Sequence, residues 1–316
     1  MRPARRLRLR GTVLDVSPDA PLVMGVLNAS PESFSDGAEA ATVERRLARA
    51  GELVDQGADL VDVGGESGVT SRAPIPPDEE LRRILPLVTE LVAAGALVSV
   101  DTWKAPVALA ALEAGAHLVN DVSGLADPGI AAHCARFGAG LVVMHTRARP
   151  KAKEFPPYDD VVDDVRRFLA QRMDEAVGRG LDPESVVLDP GPDFAKTPAQ
   201  TVAVLSRLGA LSALDRPLLL AVSRKDFVGA LTGRLPRDRL AGTLAAVGEG
   251  TDAGAGIVRV HDVAATRDFL AVRAALRGAT PVDPALRLAE ALRREAPGAP
   301  ECGPTGASAP GAGAGG

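Results

Sequence analysis

The chain has 316 residues, 46% of them hydrophobic and 24% charged, with 36 Lys and Arg against 41 Asp and Glu and a net charge of −5. This composition excludes disorder throughout, and the acidic balance gives no whole-chain reason to expect nucleic-acid binding. Aromatics make up only 3%, so the core has to be built from Ala, Val and Leu, and two cysteines, Cys134 and Cys302, make neither a disulfide framework nor a metal cluster and fit a reducing, cytoplasmic location.

The N-terminal stretch MRPARRLRLR is basic and lacks the apolar region and cleavage site of a signal peptide. Residues 1–19 are expected as a lead-in, with a strand or hairpin over 7–16. From 20 to 280 one rhythm repeats: a short apolar run ends in polar residues and a helical stretch follows. The runs are Leu22–Leu27, Leu60–Val63, Leu97–Val100, Leu118–Val119, Leu141–Met144, Val186–Leu188, Leu218–Val222 and Ile257–Val260. Continuous apolar runs of this length suit strands buried on both faces of a parallel sheet. Four intervening helices end in Gly-Ala, at Gly57, Gly95, Gly115 and Gly138, where glycine takes the left-handed turn that stops a helix. No run is long enough to span a membrane.

Eight strands alternating with helices predict an α/β fold, a single-domain (β/α)8 TIM barrel over 20–280. A doubly wound open sheet is the alternative, but no Gly-rich nucleotide loop follows the first run. A peripheral helix is expected over 281–295. The Ala/Gly/Pro-rich tail 296–316 is expected to be disordered.

In such a barrel the site lies at the C-terminal ends of the strands. There the sequence places Asn28, Glu66, Asp101, Asn120-Asp121, Met144-His145, Asp189, Ser223-Arg224-Lys225 and Arg259-Val260-His261-Asp262. Polar loop starts are common, but carboxylates, amides and cations gathered on one face make a binding site rather than a rim. Asp101, Asn120 and Asp189 suit a planar heterocycle rich in N–H donors. Lys225, Arg259 and His261 suit an anion such as a phosphate or diphosphate. Asn28 offers an oxygen to a hard cation.

The segments Met24-Gly25-Val26-Leu27-Asn28-Ala29-Ser30-Pro31-Glu32-Ser33-Phe34-Ser35-Asp36-Gly37, Asp62-Val63-Gly64-Gly65-Glu66-Ser67, Val100-Asp101-Thr102, Asn120-Asp121-Val122, Met144-His145, Asp189-Pro190-Gly191, Ser223-Arg224-Lys225 and Arg259-Val260-His261-Asp262 together resemble, in order, the motif set of the dihydropteroate synthase family, over about residues 20–275. The resemblance implies a TIM barrel, usually homodimeric and Mg2+-dependent. It implies the condensation of 6-hydroxymethyl-7,8-dihydropterin diphosphate with 4-aminobenzoate to dihydropteroate and diphosphate. It also implies roles. Asp101, Asn120, Asp189, Lys225 and Met144 hold the pterin. Arg259, His261 and Asn28 hold the diphosphate, with Asn28 also on Mg2+. Asp36 encloses the cationic intermediate, and Asp36, Lys225, Arg259 and His261 form the catalytic set. Phe194, Ser223, Thr70 and Arg72 serve the acceptor.

The resemblance breaks in four places. The second loop reads Gly64-Gly65-Glu66-Ser67-Gly68-Val69-Thr70-Ser71-Arg72-Ala73-Pro74, so its Thr and Arg are offset from the family's Ser-Thr-Arg-Pro. Asp226 follows Lys225, where a carboxylate either repels the acceptor or caps the next helix. Pro192-Asp193 replaces a Phe-Gly-like pair, and Trp103 follows Asp101-Thr102. These breaks keep two alternatives open: a pterin-binding paralogue with an altered or lost acceptor, and a folate-dependent methyltransferase of the related barrels. His117 and His133 read as structural or surface residues, Cys134 as a small buried side chain, and the basic run 147–153 as a solvated loop. His145 is open between site and scaffold.

Overall fold

A computed structural model describes residues 4–29, 43–66 and 73–293. Two compact units divide the chain, 1–279 and 280–316. In the first, a hairpin of β1 (Arg5–Leu9) and β2 (Thr12–Val16) precedes eight parallel strands: β3 (Leu22–Asn28), β4 (Leu60–Gly64), β5 (Val98–Asp101), β6 (Leu118–Asp121), β7 (Gly140–Met144), β8 (Val186–Asp189), β9 (Leu219–Leu220) and β10 (Ile257–Val260). Helices α1 (Val43–Asp55), α2 (Pro77–Ala93), α3 (Ala105–Glu113), α4 (Gly129–Phe137), α5 (Val161–Gly178), α6 (Pro198–Ser206), α7 (Asp226–Thr232), α8 (Leu240–Asp252) and α9 (Val263–Leu276) follow the strands in turn, with α7 and α8 both between β9 and β10. The strand order is β8-β7-β6-β5-β4-β3-β10-β9, and a parallel bridge between Leu188 and Leu218 closes the ring. The expected barrel is therefore present.

The helix stops follow the Gly-Ala signal. Gly57, Gly95, Gly115 and Gly138 all have φ between +62° and +106°. Each following alanine donates its N–H five residues back, for example Ala58 to Leu53 and Ala139 to Cys134, both at 2.9 Å. That pairing satisfies a carbonyl the helix end would leave bare.

Side chains alternate across each strand, so every strand serves two cores. Outward residues such as Val61, Val63, Val100, Val119, Leu141 and Val258 pack against the helices in one buried cluster. Inward residues Met24, Leu60, Leu118, Val142, Val187, Leu219 and Ile257 form a second cluster, plugged by Leu7, Leu9 and Val16 of the hairpin. The fit is close: a Cβ on Gly140 would lie 2.6 Å from both Leu118 and Leu9. Two residues further along the strands the inward positions become Asp62, Asn120, Met144, Asp189 and Arg259. The barrel is thus apolar at one end and polar at the other.

In the second unit the peripheral helix expected over 281–295 is not an α-helix among the described residues. A turn has Leu286 N–H donating to Asp283 at 2.9 Å, and a single 3-10 turn spans Glu290–Leu292. Pro281 and Pro284 remove donors that a helix would need. No helix of the described residues is long and apolar enough to cross a membrane.

Candidate active site

At the centre of the polar end is Arg259 on β10. Its Nε donates to Asp62 Oδ2 at 2.6 Å and its Nη2 to Asp101 Oδ2 at 2.8 Å. Asn120 Nδ2 donates to the same Asp62 oxygen at 3.1 Å. Asp62 Oδ1, Asn120 Oδ1 and Ser99 Oγ are buried with no hydrogen-bond partner. Burial opposes the Arg259 charge, but the two carboxylates outweigh it and raise its pKa. Burial pushes Asp101 up to about 7, and Arg259 only partly offsets this. Arg259, assigned from sequence to the diphosphate, is therefore paired with Asp101, assigned to the pterin edge. Asp62, which carries this pairing, was missed. It is an acid inside an apolar run, two residues after the inward Leu60, and that parity was the available signal.

A second group lies where β8 ends. Asp189 Oδ1 accepts the Gly191 N–H at 2.7 Å, and burial raises its pKa. Only glycine fits at 191: φ is +64°, and a Cβ would lie 2.1 Å from the His145 carbonyl oxygen. Met144 pairs with Asp189 in the β7–β8 ladder and is buried. The Lys225 ammonium sits 4.2 Å from the Phe194 ring centroid, in cation–π contact. Burial lowers the Lys225 pKa, while Asp193 and Asp189 act against that.

Ser223 and His261 meet each other across β9 and β10. Ser223 Oγ lies 2.9 Å from His261 Nδ1 and accepts the His261 backbone N–H at 3.2 Å. Burial, then the Arg259 charge, takes His261 down to about 4. Near neutral pH it is an uncharged imidazole in this arrangement. With the Ser223 hydroxyl donating to Nδ1, the proton is assigned to Nε2.

Asp226 is not the helix cap. Lys225 is the N-cap residue of α7, Asp226 stands in its first turn, and the Asp226 side chain is 73% exposed and 3.1 Å from Arg239 Nη1. The capping acceptor comes from far along the chain, since Asp193 Oδ2 accepts the Phe227 N–H at 3.2 Å. Asp193 also accepts from Thr201 Oγ1 at 3.2 Å, and holds φ at +66°, where glycine costs less. Asp193→Ala keeps the strained φ and loses both bonds. It should destabilise the fold by about 1–3 kcal/mol, whereas Asp193→Gly should recover about 1 kcal/mol of that loss. Urea unfolding of the two variants checks the order.

Other expectations resolve as follows. His117 is structural, its Nδ1 accepting the Val98 N–H at 3.2 Å. Cys134 is buried, and burial raises its thiol pKa. His145 is scaffold, fully buried with Nε2 2.9 Å from Asp164. The basic run is not simply solvated. Arg147 pairs with Asp164, and Lys151 reaches Glu66 at 3.1 Å with its side chain 8% exposed. Glu66 also meets Lys104, which bonds Glu80 at 2.5 Å and lies 5.0 Å from the Trp103 ring centroid. Trp103 is thus taken up in this cluster. Asp36, Thr70 and Arg72 lie outside the described residues, and Asn28 stands at the end of β3. Among the described residues no group of three His, Cys, Asp or Glu could hold a metal ion.

Comparison with known proteins agrees with this geometry. Residues 24–261 match the pterin binding enzyme family. The dihydropteroate synthase of Mycobacterium leprae is 44% identical over 259 residues, covering 79% of this chain and 91% of that protein. A probable bifunctional folylpolyglutamate synthase/dihydropteroate synthase of Haloferax volcanii is 40% identical over 265 residues, which cover 83% of this chain and 31% of that protein. The structure of Xanthomonas albilineans dihydropteroate synthase with 4-aminobenzoic acid superposes with a TM-score of 0.80 at 42% identity, covering 87% of this chain and all of that one. With a barrel whose polar end joins acids, an amide and an arginine in the order the motifs required, the chain belongs to the pterin-binding enzymes and, among them, to the dihydropteroate synthases.

Proposed function

We propose that the chain is a dihydropteroate synthase, joining 6-hydroxymethyl-7,8-dihydropterin diphosphate to 4-aminobenzoate and releasing diphosphate. The observation that carries this reading is the pair of buried acceptors without partners, Asp62 Oδ1 and Asn120 Oδ1, beside Asp101 and Asp189. Buried acceptors left bare cost about 1–3 kcal/mol each. A pterin, with several N–H donors on one flat edge, recovers that cost. Asp101, Asn120 and Asp189 take the pterin edge, Met144 packs on the ring, and Lys225 meets it from the Phe194 side. Arg259 and the neutral His261 face the diphosphate, where donors aimed at the leaving oxygens lower the barrier. The bond from the pterin methylene carbon to the diphosphate oxygen breaks with its electron pair leaving on diphosphate. The aniline nitrogen then bonds to the methylene carbon and loses a proton.

Mg2+ fits as an ion carried by the diphosphate. It usually keeps several waters and binds substrate phosphates rather than an all-protein cage. The single amide oxygen of Asn28, with no three-residue cluster among the described residues, suits that habit. Bound there, Mg2+ supplies charge to the departing diphosphate.

Phe194 and Ser223 stand on the acceptor side, with Thr70 and Arg72 assigned there from sequence. Asp226 does not argue against 4-aminobenzoate, since Arg239 answers its charge. A homodimer completes the reading. Exposed Leu231, Leu235 and Leu240 on α7, α8 and the turn between them offer it an apolar surface.

The test is a condensation assay with dihydropterin diphosphate, Mg2+ and 4-aminobenzoate. Diphosphate and dihydropteroate should appear in equal amounts. Diphosphate alone would keep the pterin half and discard the acceptor. Neither product would reject the activity.

A further inference from the structure

We infer that Lys196 is a positioning residue, its buried ammonium tying Gly191 and Phe194 of the loop after β8 to His145 and so holding the Phe194 ring at the acceptor side of the site. The inference rests on the proposed acceptor role of Phe194.

The loop is strained and needs holding. Gly191, Asp193 and Ala195 have φ of +64°, +66° and +52°. For the two residues with a Cβ this costs about 1–2 kcal/mol each, and such a backbone persists only where its surroundings fix it. Lys196 supplies part of that fixing, at the Gly191 and Phe194 carbonyls. Its Nζ lies 2.7 Å from His145 Nδ1, 2.9 Å from the Gly191 carbonyl oxygen and 3.0 Å from that of Phe194. An ammonium has three N–H donors, and each finds an acceptor. Tyr158 adds a fourth tie, its hydroxyl donating to the Ala195 carbonyl at 2.9 Å.

The acceptor at His145 is itself prepared. Burial, then the Lys196 charge, takes His145 down to about 3, so the imidazole is neutral. With Nδ1 accepting from Lys196, Nε2 carries the proton and donates to Asp164, which Arg147 also holds. The lysine is 1% exposed, and its hydrogen bonds go to His145 and the loop carbonyls, while Asp189 meets it only through charge. Burial lowers the Lys196 pKa to about 7 against the pull of Asp189, and burying a cation is expensive unless it is well bonded, so an apolar side chain would serve packing better. What the cation adds is the fixed distance between three backbone and ring acceptors. Asp189, by contrast, is held by the strand ladder and by His145 N–H donating to its carbonyl at 2.8 Å. Loss of the ammonium should therefore disturb Phe194 and leave the pterin side largely in place.

Lys196→Met keeps the volume and removes the donors. Its KM for 4-aminobenzoate should rise at least about tenfold, while the Kd for dihydropterin diphosphate moves less than about threefold. Amide exchange at residues 191 and 194 should accelerate at least about tenfold with β8 unchanged, a readout that needs no activity. Tyr158→Phe, which removes one tie and should fold, should shift both readouts the same way by a smaller factor, and it carries the test if Lys196→Met does not fold. Unchanged acceptor KM and exchange would overturn the inference, as would equal rises in acceptor KM and pterin Kd. A wild-type protein that makes no dihydropteroate would reject the proposed activity instead. Faster exchange in the variants would then still establish the tether, and unchanged exchange would overturn it.

Discussion

Arg259→Gln should lower kcat by about 1,000-fold, which corresponds to about 4 kcal/mol of lost transition-state stabilisation. Two losses combine. The first is the guanidinium itself, a cation held in a buried site where the diphosphate would depart, and charge placed there is worth far more than in water. The second is indirect. Arg259 is bonded to Asp62 and Asp101 at 2.6 and 2.8 Å, and without it both acids lose their cation, with only the Asn120 amide left on Asp62. Asp101, already raised to about 7, goes higher and is lost as an anionic acceptor for the pterin. The Gln variant should therefore also bind dihydropterin diphosphate more weakly, and weaken most towards neutral pH. Arg259→Lys separates the two losses. It restores a charge, but an ammonium on that stem is a point and cannot present the flat fork that spans both carboxylates. It should recover part of kcat, about 10-fold to 100-fold over the Gln variant. Steady-state kinetics with calorimetry on both variants decides the matter. A Gln variant with unchanged kcat would remove Arg259 from the reaction.

The barrel was legible because its signals are local and repeated. Continuous Val/Leu runs, Gly-Ala stops and polar strand ends follow from backbone geometry and burial, and each recurs around the ring. The strand-end residues Asp101, Asn120, Asp189, Lys225 and Arg259 were readable for the same reason. Asp62 was not, since an acid one turn of pleat below the rim looks like an interruption in an apolar run until its inward parity is counted. Lys196 and Asp193 were not legible either. Their partners are 51 residues away at His145 and 34 away at Phe227, and only the folded chain brings these together. The cap at Asp226 failed through a general rule applied locally. An acid in the first turn is a good candidate for the cap, but Lys225 already occupies that position, and Asp193 supplies the acceptor. The helix expected after 280 failed because turn-forming Asp283 and Pro284 outweighed a weak apolar period.

Pterin affinity should be flat above pH about 7 and fall about tenfold per unit below it, in step with the protonation of Asp101. Burial, with Asp62 adding, holds this carboxyl at about 7 in the free protein. The pterin edge needs the ionised form, which accepts its N–H groups. Below pH 7 the site must give up a proton to bind, and that coupling sets the slope. The sign for folding is the opposite of an ordinary paired acid. The unfolded chain releases this proton near its normal value of about 4, and the folded chain releases it near 7. Between those values the folded state holds the extra proton, so this group's contribution to stability falls as pH rises through the window. Asp101→Asn removes both effects at once. Its pterin Kd should be about 100-fold weaker at pH 8, since bonds to a charged acceptor are worth about 1.5–3 kcal/mol each, and nearly independent of pH down to 6. Its stability should lose the decline between pH about 4 and 7. Calorimetric titration and urea unfolding over that range read the two consequences separately. A wild-type Kd that stays constant from pH 8 to 5.5 would exclude Asp101 as the titrating acceptor, and a steep wild-type profile that persists in the Asn variant would hand that role to Asp189, a second acid of the pterin edge whose pKa burial raises.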